Sequence, residues 1–355
     1  MDISFTPYAM ESRPSINALV TNNPNNALPM ESLAVKWPAF TVDQPQNDPY
    51  AWAQQVAEIY ADNLEPSARG ALLASPKLPV DMELEVRALS RQVKSSSDAY
   101  QAAQTELAAE KELAEAKGLR SQKNTQGTPG HIKALESMIS NINGNYQKTY
   151  ADINQKAAEY MKDVNTAVGK ISDNIKSGKE GKIKFEIMEF INDMNSTFSK
   201  YTKYQPTTST DNNVLSAEYN NWSPNEDDTI AIHTFKGDEE VKNFWEKKLG
   251  DGFIVKQSAD KKEVLILPNL DPIRNIYSSV AKSPASWAKG DGRDISSQAF
   301  QSLQAAIDSQ KNTVNSSVSQ LLERFRQDNS TFETLIQLLV QITKDLYQYN
   351  QGYMQ

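Results

Sequence analysis

The sequence predicts a mainly α-helical chain with a small α/β insert, built on a long antiparallel two-helix coiled-coil spine that follows an N-terminal α-helical hairpin. Three observations lead there. Residues 296–351 read as one helix of roughly 55 residues, ~80 Å if straight. Residues 131–175 read as another of roughly 45 residues, ~67 Å. Between them the pattern changes to short runs rich in Ile, Val and Phe, the composition of strands. So long a helix cannot hide its apolar stripe against a small insert. The other long helix is the only element of matching length, so the two are expected to pair, with 177–295 inserted between them.

Taken in order, residues 1–48 hold Pro7, Pro14, Pro24, Pro29, Pro38 and Pro45 among many asparagines. Proline fixes φ and removes a donor, and no helical period is sustained, so the segment is predicted to be largely disordered. An ordinary tail and an export segment that must stay unfolded both fit this composition. Asp48 suits an N-cap and Pro49 the first position of a helix that sets Trp52, Val56, Ile59 and Tyr60 on one face. Pro66, Pro76 and Pro79 interrupt it. A second helix, from about Val80 to Arg120, carries Leu84, Leu89 and Val93 before an Ala/Glu/Lys-rich stretch. Residues 49–130 therefore read as a helical hairpin and linker, with Gly118 and 124–130 in the linker.

The first spine helix, within 131–176, steps by three and four through Ile132, Leu135, Ile139, Ile142, Tyr146, Tyr150, Ile153, Ala157, Val164 and Ile171. The insert, 177–295, offers strands at 228–235, 252–257 and 263–269. It also offers helices at 238–250 and 271–280, each opening on an Asp that suits an N-cap. Residues 203–213 read as a loop. The last segment, 296–355, holds one column of Phe300, Ile307, Val314, Leu321, Leu335 and Ile342. A second holds Val318, Phe325, Phe332, Leu339 and Leu346. These are the two columns of a coiled-coil seam. Asp328-Asn329-Ser330 interrupts them. Polar residues in a seam commonly specify register; the alternative is a kink or hinge, although no Pro or Gly accompanies them.

Composition narrows the function classes. The chain has 355 residues, a net charge of −8 and a pI near 5.1, which argue against nucleic acid or an anionic membrane surface as partner. Without cysteine there is no disulfide, thiolate nucleophile or Cys-ligated zinc. The two histidines, His131 and His233, lie far apart and read as surface or capping residues. No Gly-rich phosphate loop, H-E-x-x-H or G-x-S-x-G occurs. The two GDG runs at 250–252 and 290–292 read as turns, and Glu226, Asp227 and Asp228 as solvated charge. No enzyme, cofactor or metal is predicted. There is neither a Sec-type signal nor a run of about 18 apolar residues. Such a composition fits a cytosolic protein, and equally one exported by a route that leaves no classical signal.

Four local patterns go further. INGNYQKTY (142–150) places Tyr146, Lys148 and Tyr150 together, FWEKKLGDGFIV (244–255) contains Trp245, Leu249 and Gly250, LILPNLDPIRNI (265–276) contains Pro272 and Ile273, and DNSTFETLIQLL (328–339) contains Asn329, Ser330, Phe332, Leu335 and Leu339. In this order, and on this architecture, they resemble the needle-tip proteins of type III secretion systems, the IpaD/SipD/BipD family of hydrophilic translocators. The resemblance covers roughly residues 131–355, and the hairpin fits by architecture. The chain departs from the family where a Trp is frequent near Asp173-Asn174, and at Phe300, Gln301 and Leu303, which stand where a Tyr-Gln-x-Trp start is frequent.

The resemblance implies a protein secreted by the type III route and held at the bacterial surface as a cap on the needle. There it would form a ring of copies of itself, generally pentameric, that restrains secretion until host contact and then recruits translocator proteins for effector delivery. It implies that the hairpin acts as a self-chaperone covering the spine, and that a bile salt serves some enteric members as a signal. It assigns needle-subunit or self contact to Gln337, Leu338, Gln341 and Lys344 beside Leu339, with Tyr347 and Tyr349 nearby. The competing reading is another secreted coiled-coil protein, an effector or a filament subunit. A filament subunit should polymerise alone, whereas a self-chaperoned tip protein should be mainly monomeric.

Overall fold

A computed structural model of the chain describes residues 48–63, 82–116, 130–204, 209, 211–285 and 294–352. The proposed export segment, the prolines between the first two helices, and most of the linker lie outside these residues. The fold is mainly helical with a small α/β insert.

The spine is formed by the two long elements. Helix α3 (Gly130–Asn141) continues through one π-helical turn (Ile142–Gln147) into α4 (Lys148–Gly169), which tightens to a 3₁₀ turn ending at Asn174. The expected uninterrupted helix is therefore corrected at both places. INGNYQ carries one residue more per turn than an α-helix accommodates, and the chain leaves α geometry after Gly169. Helix α9 (Ser297–Gly352) is unbroken, so Asp328-Asn329-Ser330 makes no kink. The pairing is antiparallel: Tyr150 meets Phe325 at a centroid distance of 4.4 Å, while the far end of α4 leads to Phe185, 5.9 Å from Phe300 near the start of α9.

The seam is buried as its spacing predicts. Ile139, Tyr150, Ile153, Val164 and Ile171 are buried on one side; Phe300, Ile307, Val314, Leu321, Phe325, Phe332, Leu335, Leu339 and Ile342 are buried on the other. Tyr146 is half-buried against the same core. Each such side chain contributes about 1.5–3 kcal/mol before entropy is charged.

The ends of the spine are stapled by a three-stranded antiparallel sheet that short-range patterning does not reveal. Strand β2 (Ile183–Phe185) lies between β1 (Ile175–Ser177), which continues from α4, and β6 (Asp294–Ile295), which leads into α9. Ile175 pairs with Phe185 and Ile183 with Ile295. The second sheet, in order β3 (His233–Lys236), β5 (Glu263–Pro268), β4 (Phe253–Gln257), is antiparallel throughout. Helix α7 (Glu239–Leu249) packs on β4, and α8 (Asp271–Ala281) lies between α9 and α6 (Asn212–Asn220).

Two helices of the insert, α5 (Ile187–Phe198) and α6, were not anticipated, and residues 212–213 belong to α6 rather than to a loop. Asp238 does cap α7, accepting from the Val241 amide at 3.0 Å. Asp271 does not cap α8. It is the first helical residue, held by Asn269 Oδ1 at 2.9 Å from its amide and paired with Arg274.

Both N-terminal helices bed on the spine. Helix α1 (Pro49–Ile59) lies against α9, and α2 (Met82–Ala116) against α9 and α4. In α1 the buried residues Tyr50, Ala53, Val56 and Ala57 form one stripe, which Tyr60 at its C-cap extends. In α2 the inward positions are Leu89, Val93, Ser96, Tyr100 and Ala103, a seam with one polar member.

Candidate functional site: where the N-terminal helices meet the last helix

Residues from four separate segments converge at mid-spine. Tyr146 of the π turn and Tyr150 of α4 face Phe244 and Trp245 of α7: Tyr146 lies 4.9 Å from Phe244, and Tyr150 lies 5.2 Å from Trp245, both edge to face. Phe325 of α9 closes the inner side against Tyr150. Tyr50, from the first turn of α1, completes the cluster, 6.3 Å from Tyr146 and Tyr150 and stacked at 6.5 Å on Phe244. Such pairs add about 0.5–1.5 kcal/mol each beyond the area they bury. Thus Tyr146, Tyr150 and Trp245, recognised in separate sequence motifs, share one junction, and α1 reaches it through Tyr50.

A polar layer lies beside the rings. Asp48 caps α1, its Oδ1 accepting from the amides of Tyr50 at 3.0 Å and Ala51 at 3.2 Å. Its other oxygen faces Lys248 Nζ at 3.4 Å. The same ammonium donates to both oxygens of Asp328, at 2.9 and 3.1 Å, and lies 5.0 Å from the Tyr50 ring centroid, within cation–π reach. The Lys248 and Asp328 side chains are only 15% and 13% exposed. One lysine therefore ties α1, α7 and α9 together. Burial pushes the Asp328 carboxyl up to about 6 despite the opposing pull of Lys248. Burial also raises the Tyr50 and Tyr150 phenols, and Asp328 raises them further. The Tyr50 hydroxyl is buried outside hydrogen-bond geometry, and the buried Tyr150 hydroxyl lies beside the Asp328 carboxylate.

Gly250 matters to this layer. With φ at +68° it ends α7, and a Cβ there would come within 3.0 Å of Arg324 Nη1, the group that donates to the Lys248 carbonyl at 2.9 Å. The Trp245–Leu249–Gly250 motif thus gains a physical reading. Trp245 and Leu249 are buried anchors, and Gly250 lets Arg324 dock on the helix end that presents Lys248.

Next to Asp328 on α9, Asn329 is wholly buried. Its Nδ2 donates to Ser96 Oγ at 3.2 Å and Glu333 Oε1 at 3.3 Å, while Ser96 Oγ donates to Glu333 Oε1 at 2.6 Å. The polar member of the α2 seam therefore meets the polar member of the α9 seam. A polar pair at matched seam positions fixes register, because any slip would leave both groups buried and unpaired. Sequence reasoning singled out Asp328-Asn329-Ser330 but missed Lys248, Ser96 and Glu333. Ser96 carried a usable signal, as a polar residue at a seam position between Val93 and Tyr100.

The residues assigned to needle or self contact are divided. Gln337 is exposed and Lys344 half-buried. Leu338 is wholly buried, and Gln341 donates to the Asn63 carbonyl, just beyond α1, at 3.3 Å. Leu338 is thus packed inside this conformation rather than presented as a contact, and Gln341 is already engaged by the N-terminal segment. The side chains of Tyr347, Tyr349 and His131 lie outside the described residues, and His233 is half-buried in β3. Pro272 and Ile273 are buried in the first turn of α8. Glu226 and Asp227 pair with Lys256. An open groove of about 820 Å³ runs between the Gly250–Gly252 turn and α9, lined by Asp308, Asn312, Ser316, Gln320 and Arg324 among others. Among the described residues no three His, Asp or Glu side chains converge as a metal site, and no helix is long and apolar enough to cross a membrane.

Residues 56–345 match the family model described as type III secretion systems tip complex components. The chain belongs to that family. Among solved structures, this tip complex component is similar to BipD, a component of the type-III secretion system of Burkholderia pseudomallei. One BipD structure has 17% identity and a TM-score of 0.49, covering 90% of this chain and 98% of BipD. Another has 16% identity and a TM-score of 0.49, covering 90% and 99%. A pathogenicity island 1 effector protein from Chromobacterium violaceum shows 16% identity and a TM-score of 0.42, covering 88% of this chain and 87% of that one. No curated protein matches the chain in sequence.

Proposed function

We propose that this tip complex component caps the extracellular end of a secretion needle as a ring of copies of itself, restrains secretion, and recruits translocator proteins on host contact. Its partners are then the needle subunit, the translocators and its own copies, and it reaches the surface through the type III route. Membership of a family of structural tip components points to assembly rather than catalysis. The observation that carries the mechanistic part is the engagement of the spine by the N-terminal segment: Asp48 pairs with Lys248 of α7, which itself holds Asp328 of α9, and Asn63 accepts from Gln341 toward the end of α9. A helix that is to pair with other subunits must be kept from doing so early, and an intramolecular cover acts at a high effective concentration. In this reading α1 and α2 shield α9 until assembly replaces them.

The test is a deletion strain of the source bacterium. Without the chain, secretion into host-free medium is expected to rise while delivery into host cells is lost, and the full-length chain restores both. Unchanged secretion and delivery in the deletion strain would overturn the tip role and favour the effector reading.

A further inference from the structure

The mid-spine layer has a charge arrangement that the tip role does not require. Two carboxylates share one ammonium at a nearly closed site, and the element that closes it is the mobile partner in the proposed mechanism. Asp328 faces Asp48 and Tyr50 from α1, Tyr150 from α4, Lys248 from α7, and Arg324 from one turn earlier on α9. Tyr146, half-buried in the π turn, lines the same cluster. The first turn of α1 packs on the Lys248–Asp328 pair, with Asp48 3.4 Å and the Tyr50 ring centroid 5.0 Å from Lys248 Nζ, and takes the place of a lid there. Lifting α1 removes Asp48 and the Tyr50 ring. It leaves Lys248 beside Asp328, because that pair joins α7 to α9 and does not involve α1.

We propose that Asp328 and the α1 lid form a proton-controlled latch, in which α1 is held most tightly when Asp328 carries its proton and is loosened as the pH rises. The sign follows from linkage. With α1 docked, burial raises the Asp328 carboxyl to about 6. With α1 lifted, water reaches the carboxylate while Lys248 remains, and it returns toward the ordinary carboxylate value near 4. The docked state therefore binds the proton more tightly. The stabilisation Asp328 gives to docking is fully present in acid and is lost as the pH rises from about 4 to about 6. Above that window Asp328 stays ionised beneath the lid, where Asp48 repels it and only one lysine serves both. For a shift of this size the opening constant of α1 rises about tenfold between pH 5 and pH 7.5.

The latch is a property of the isolated chain, so its failure would leave the tip role standing. Hydrogen exchange of the full chain at pH 5 and pH 7.5, corrected for intrinsic chemical exchange, reads it directly. The amides of 50–60 are expected to open about tenfold more at pH 7.5, while those of α8 show no such contrast. Asp328→Asn is expected to abolish the contrast and keep α1 slow to open at both pH values. Equal opening of the wild-type α1 at the two pH values, or the same contrast in Asp328→Asn, would overturn the latch. Should that variant fail to fold, the carboxyl carbon resonance of Asp328 in the wild-type chain decides. A titration midpoint well above 4 that coincides with the change in α1 opening supports the latch, and a midpoint near 4 ends it.

Discussion

A chain lacking residues 1–130 is expected to self-associate, its mass by light scattering rising with concentration, while the full chain stays monomeric. The expectation rests on what the two N-terminal helices cover. Deleting α1 takes the Tyr50 ring from the Tyr146–Tyr150–Phe244 cluster and frees Gln341 from the Asn63 carbonyl. Deleting α2 removes Tyr100, 6.4 Å from the Phe332 ring, and Ser96, the partner of Asn329. A long apolar stripe along α9 and α4 would then face water. Contiguous apolar surface of that extent is rarely left exposed on a monomer, and a seam with coiled-coil spacing is suited to a second copy. A truncated chain that stays monomeric at high concentration would show that the hairpin is not the cover.

Phe332→Ala is expected to cost about 3–5 kcal/mol, which for a chain of this size lowers the thermal midpoint on the order of 5–10 °C. Phe332 is wholly buried and packs between the spine and Tyr100 of α2. The cavity therefore forms where three helices meet, and it can collapse only by moving one of them. Because Tyr100 of α2 loses its ring partner, the amides of α2 are expected to exchange faster in the variant than those of α4. An unchanged thermal midpoint would mean that Phe332 is not a seam residue.

The two spine helices, the second sheet, and helices α7 and α8 were legible because their signals are local. Heptad columns, β-branched runs and the Asp238 cap all lie within a few residues of one another. Helix α5 was legible too and was passed over: Ile187, Phe190, Ile191, Met194 and Phe198, all buried, have helical spacing inside a segment that reads as strand-rich. The staple sheet was not legible. Its strands are two or three residues long, and Ile183 finds its partner at Ile295, across the whole insert.

The junction falls between these cases. Asp328 and Asn329 were visible as polar residues in an apolar seam, and the Tyr146/Tyr150 and Trp245 motifs were visible as resemblance. That they form one site was not visible, because Lys248 is 80 residues from Asp328 and Ser96 is 233 from Asn329. Spacing along one helix carries no information about such partners. The polar interruption was read as a register device or a hinge; α9 runs through it without a break, and Asn329 meets Ser96 of the N-terminal cover.

Needles isolated from the source bacterium with and without this chain, labelled with antibody against it and viewed by electron microscopy, test the tip assignment most directly. Label confined to needle ends, and present only when the chain is made, is the result predicted here. Needles equally unlabelled in both preparations, with the chain recovered elsewhere, would contradict it.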